Sequence, residues 1–137
     1  MERRVSGRSL RVGLAAIVAT AGLAGCAGST ERAEVQRVAV DFVTAVEDRN
    51  GQDACDLLTS EAEESVSGAT DVPCPTAVLS IEESGAEVHH VQIWGDAAQV
   101  KLGSDTVFLR RLQVGWQVRA AGCHSQPGAA YNCDVEG

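Results

Sequence analysis

Apolar residues fall along this chain in three rhythms, and each rhythm predicts a different element. Over residues 12–23 they form a nearly unbroken run, VGLAAIVATAGL. Over 31–49 they recur at spacings of three and four, so that Val35, Val38, Ala39, Phe42 and Val46 make one stripe. Asp41, Thr44 and Asp48 fall opposite it. That period predicts an amphipathic helix. Thr30 stands where a cap belongs, Glu31 and Glu34 occupy the first turn, and Asn50-Gly51 supplies a stop signal. From residue 86 onward the pattern changes to short segments rich in Val, Ile, Leu and Trp, over 87–94, 97–102, 106–113 and 116–121. Gly95-Asp96, Gly103-Ser104-Asp105 and Val114-Gly115 separate them, which predicts an antiparallel meander.

Shorter elements are predicted between the helix and the meander. A helix spans 53–58, and Ser60 with Glu63 forms the S-x-x-E capping pattern that opens another helical turn. Small polar residues over 65–72 predict a loop. Cys74-Pro75 starts a short helix through Ser80, with proline suited to the first turn. Helices first and strands afterwards predict an α+β domain, a sheet of about four strands packed on one long helix.

The apolar run at the start changes the picture of where the chain works. It follows a basic stretch over 1–11 and precedes small residues, the three-part layout of an export signal. Twelve residues are too few for a membrane-spanning helix, which needs about 20. The junction Leu23-Ala24-Gly25-Cys26 matches the bacterial lipobox, a branched apolar residue and two small ones before a cysteine. On this reading residues 1–25 are removed, and the thiol of Cys26 carries a diacylglyceryl group. Residues 26–30 become a short tether, and 31–137 form the folded domain. Two or three acyl chains anchor the product to the extracytoplasmic face of the cell membrane, where one chain alone would hold weakly. Arg3-Arg4 hints at twin-arginine export, but Val5-Ser6-Gly7-Arg8 does not continue that signal.

Four further cysteines follow: Cys55, Cys74, Cys123 and Cys133. An even number in a small exported domain predicts disulfides, because the compartment is oxidising and the core is small. Of the three pairings available, Cys55–Cys74 and Cys123–Cys133 are favoured. The second brackets the turn signal Gln126-Pro127-Gly128, and the first ties a helix to the segment after Pro73. No CxxC spacing is present, and His124 directly follows Cys123, which does not suit a zinc site. No metal or other cofactor is expected.

Charge narrows the partners. The first 25 residues carry +3, and the remainder holds 7 basic against 18 acidic side chains, near −11. Such a domain is repelled by nucleic acid and by anionic head groups, and no basic stripe offsets the repulsion. Aromatic residues are few, Phe42, Trp94, Phe108, Trp116 and Tyr131, so the core must rely on Val, Leu and Ala.

A family resemblance rests on the segments AEVQRVAVDFVTAVEDRNGQDACDLLT and VGWQVRAAGC, and on the tail from Gly122-Cys123 to Tyr131-Asn132-Cys133. Together they resemble the small NTF2-like (cystatin-like α+β) domains common among actinobacterial lipoproteins. The likeness covers nearly all of 31–137. It implies a long helix and short helices on a curved antiparallel sheet. It implies little function, since that superfamily holds enzymes, transport adaptors and modules without chemistry.

The residues offer one weak catalytic candidate, His89. If Val91 and Ile93 face the helix, strand alternation puts His89 on their face and His90 outside. Enzymes of the resembled family carry a His or Asp inside the cone, so His89 is the pocket candidate, with Arg110 or Arg111 nearby. A histidine satisfied at the sheet rim is the simpler reading, because a catalytic base also needs an orienting partner. Asp41 is the other carboxylate to weigh, and it falls on the solvated face. Three functions stay open. The leading one is a non-catalytic envelope lipoprotein that binds a protein partner or a small apolar ligand. The second is an NTF2-like lyase or isomerase using a pocket histidine. The third is a structural subunit of a cell-envelope complex, homodimeric through its open sheet face.

Overall fold

The computed structural model describes residues 24–82, 85–128 and 130–137. Residues 1–23, which hold most of the segment 1–25 read as an export signal, and the side chain of Cys26 lie outside the described residues. Four helices come first: α1 (Ala24–Glu47), α2 (Gly51–Asp56), α3 (Ser60–Thr70) and α4 (Cys74–Ala77), the last extended by a 3-10 turn over Val78–Ser80. Five strands follow: β1 (Val88–Trp94), β2 (Ala97–Leu102), β3 (Asp105–Leu112), β4 (Gly115–Cys123) and β5 (Val135–Glu136). All pair antiparallel with their neighbours in chain order. The domain is α+β, as the order of patterns predicted.

The stripe of α1 makes the core. Val35, Val38, Ala39, Phe42 and Val46 are buried, joined by Val43 and Ala45. They meet the inner face of the sheet, where Val91, Ala98, Val100, Leu102, Val107, Leu109, Trp116 and Val118 are buried. The space between helix and sheet is therefore filled with apolar side chains. Burial on this scale stabilises by about 25 cal/mol per Å² of apolar surface.

Several boundaries differ from those predicted, each for a local reason. The first helix includes residues 26–30 among those described, so the segment read as a tether is helical. Its end comes at Glu47, Arg49 takes a left-handed conformation, and Asn50 caps α2 instead of only stopping α1. The cap of α3 is Thr59, whose hydroxyl accepts from the Ala62 amide at 3.2 Å. Ser60, the predicted cap, is the first helical residue. Residues read as a loop over 65–72 are helical as far as Thr70, because Ala62 and Val66 are buried one turn apart. Asp71, with φ 54°, then ends the helix in the left-handed region.

The sheet has one strand more than the four expected. β5 is only two residues long, too short to show an alternation. It closes part of the free edge of β4, through Ala120–Glu136 and Ala121–Val135. Residues 57–59 cover that edge further along, at Val118: Val118 donates to the Leu57 carbonyl and Thr59 donates back to Val118, both at 2.8 Å. An edge strand that would otherwise present unpaired backbone groups is thereby covered.

Candidate functional site

Both favoured disulfides are present, Cys55–Cys74 and Cys123–Cys133. The first joins α2 to α4, where a Cβ on Gly51 would overlap the Pro75 backbone. The close approach of these two short helices thus depends on a glycine and a cross-link together. The second closes the tail back onto the end of β4. It brings Tyr131 edge-on to Phe108, ring centroids 5.0 Å apart, with the Gln99 amide donating to the Tyr131 hydroxyl at 3.2 Å.

His89 does not sit where strict alternation puts it. The register of β1 against β2 slips between Val88, opposite Leu102, and His90, opposite Lys101. Two residues of β1 thus face one step of β2, which is a β-bulge. Both Val88 and Val91 can then turn inward although they are three apart, and His89 and His90 are both exposed. Arg110 and Arg111 are not its neighbours either. They pair with Gln117 and Trp116 at the other end of the sheet, in the rows that cross Ala97 and Trp94. Asp41 is exposed and accepts from Arg37 at 2.8 Å, one helical turn away.

The pair that the fold does bring together is Asp105 with His124. Asp105 opens β3, His124 follows β4, and Oδ1 of the carboxylate lies 3.0 Å from Nδ1 of the ring. The carboxylate is 2% exposed and the imidazole half exposed. The two groups stand within ion-pair distance when the ring is protonated, and the outer edge of the ring is left in water. Neither residue stood out in the sequence, where Asp105 reads as turn chemistry and His124 as a neighbour of a cysteine. Their separation of nineteen positions matches no spacing rule; only the β3–β4 hairpin and the bulges in its ladder bring them close.

Two open clefts mark the ends of α1. The one at its C-terminal end has a volume of about 460 Å³ and gathers Asp41, Asp48, Asp53 and Asp56. Three of those carboxylates have local partners: Asp41 accepts from Arg37, Asn50 donates to Asp53 at 2.5 Å and Gln52 to Asp56 at 2.9 Å. The other, about 650 Å³, lies between the start of α1 and the β3–β4 turn, lined by Gly28, Glu31, Arg111, Leu112 and Trp116 among others. There Arg111 pairs with Glu31 and stacks its guanidinium 5.6 Å from the centre of the Trp116 ring.

Comparison with family models, with curated proteins and with solved structures finds no match to this chain. The chemistry must be read from the geometry alone. Among the described residues, no group of three or more His, Cys, Asp or Glu side chains could hold a metal ion. Among them, too, no helix is long and apolar enough to cross a membrane.

Proposed function

We propose that this chain is an exported lipoprotein, held on the outer face of a membrane by lipid on Cys26, whose NTF2-like domain is a non-catalytic binding or assembly module. The observation that carries the second half is the filled interior. An isomerase or lyase of that architecture needs a polar pocket between the long helix and a curved sheet. Here Phe42, Leu102, Leu109, Val100 and Val107 occupy that space. Buried polar residues among those described are Thr59, Asp105 and Thr106, and Asp105 is engaged by His124 at the rim. A domain so packed offers its surface rather than its inside. The lipobox supports the first half, and the two disulfides agree with it, since such bonds persist in oxidising compartments.

Mass spectrometry of the membrane fraction tests the anchor. The mature chain should begin at Cys26 with two or three acyl chains and should enter the detergent phase. Cys26→Ala should accumulate as unlipidated precursor. A Cys26→Ala protein processed and retained like the wild type would refute the anchor. Cross-linking in intact cells should then capture a partner on the domain surface, whereas turnover of a small substrate by the purified domain would refute the non-catalytic reading.

A further inference from the structure

We propose that the end of the sheet bearing the β1–β2 and β3–β4 turns rests on the phospholipid surface, giving the domain a second attachment beside its lipid. The inference rests on the lipoprotein reading, which places a bilayer next to residue 26.

An antiparallel meander puts alternate turns at the same end, so Trp94, Leu112 and Val114 are gathered there. Among the described residues, the large apolar side chains left exposed are these three and Val72. Trp94 is 54% exposed and Val114 81%, values that no packing within the domain accounts for. Three exposed apolar side chains at one end of the sheet set that end apart from the rest of the described surface.

The start of α1 arrives at the same end. Arg111 pairs with Glu31 and also donates to the Gly95 carbonyl at 3.4 Å, so one side chain touches both the helix and the β1–β2 turn. Gly28 and Thr30 line the cleft shared with Leu112, Gln113 and Gly115. Cys26 is two residues before Gly28 in a helix that runs on through it. At 1.5 Å per residue that is about 3 Å of helix. The acyl chains would therefore enter the bilayer beside the hairpin tips, with no slack to carry the domain away.

Charge favours the same orientation. Beside these turns Arg32, Arg110 and Arg111 stand against Glu31, Glu34 and Asp96, and Glu61 and Arg119 share a cleft with Arg110 and Leu112, so charges of both signs are mixed at this end. The acidic excess lies elsewhere, and Asp48, Asp53 and Asp56 stand at the far end of α1. An anionic leaflet repels those surfaces and tolerates this one. Tryptophan suits the boundary, because its ring is apolar while its N–H can bond water or a head group.

The test uses the lipidated full-length protein in vesicles of phosphatidylcholine and phosphatidylglycerol carrying nitroxide-labelled lipid. Tryptophan emission is compared between wild type and Trp94→Phe, which retains the buried Trp116. The expected result is at least twofold stronger quenching in the wild type. Val114→Asp should remove most of that difference with its melting temperature unchanged. A protein that carries lipid and floats with the vesicles, yet leaves Trp94 unquenched and open to aqueous iodide, overturns the docking and spares the anchor. Trp94 shielded from both quenchers, with cross-links between copies, assigns this end to a second copy and also overturns it. A chain without lipid that fails to float overturns the lipoprotein reading and the docking with it.

Discussion

Oδ1 of Asp105 lies 3.0 Å from Nδ1 of His124, joining the first residue of β3 to the residue that follows β4. The carboxylate is almost fully buried, so whatever donor it has there matters more than it would in water. Removing one partner of a buried polar group leaves the other to bear its desolvation. His124→Ala should therefore lower unfolding stability by about 1 kcal/mol, the upper end for an ion pair with a half-exposed partner. Urea unfolding with both disulfides intact measures it. A loss within a few tenths of a kcal/mol would mean that the contact carries no stability.

Two glycines should respond in opposite directions to the same substitution. At Gly51 a methyl group would collide with the Pro75 carbonyl, and backbone atoms cannot step aside while Cys55–Cys74 holds the two helices. Gly51→Ala should cost about 3 kcal/mol, the upper end for overpacking. Gly68 is inside α3 with nothing near its Cβ position. Gly68→Ala should gain about 0.5–1 kcal/mol from helix propensity. Paired thermal melts decide both, and equal shifts would contradict the packing described.

Opening the C-terminal staple should expose one face of the sheet without unfolding the domain. Cys123→Ala with Cys133→Ala removes the cross-link that holds Tyr131 against Phe108. A loop of this length contributes about 3 kcal/mol in the chain-entropy model. Far-UV circular dichroism should keep its native shape while limited proteolysis cuts within residues 124–132. Unchanged resistance to protease would show that the tail is held by its strand pairing alone.

Tyr131→Phe isolates the hydroxyl from the ring. The edge-to-face contact with Phe108 survives, and the bond from Gln99 is lost. The bond lies at a partly buried surface, so the cost should stay near 0.5 kcal/mol, the low end for a hydrogen bond. Tyr131→Ala should cost clearly more, because aromatic pairs add about 0.5–1.5 kcal/mol beyond their area. Equal losses in the two variants would mean that the ring packs no better than it would in water.

What could be read in advance followed from local repetition. The stripe from Val35 to Val46 repeats with the helical period, and all five of its members are buried. The four meander strands were readable because turn residues punctuate them: β2 has the predicted bounds, and those of the other three differ by at most two residues. Misses occurred where no repeat exists. The two-residue β5 has no alternation, and the C-terminal half of α3 is made of small polar residues whose helix is stabilised by Val66 against the core. The bulge at His89 also left no trace in composition, yet it alone moves the catalytic candidate to the outside.

By itself the sequence determined the class of fold, the long helix and the meander, because each is written in neighbours a few positions apart, and it favoured the cysteine pairing that the structure shows. Only the tertiary structure decided what fills the space between helix and sheet, and which end of the sheet meets the start of α1. It also brought Asp105 to His124 and turned His89 to solvent. Those outcomes depend on register across strands. A shift of one residue there exchanges the two faces of a strand while leaving its composition untouched.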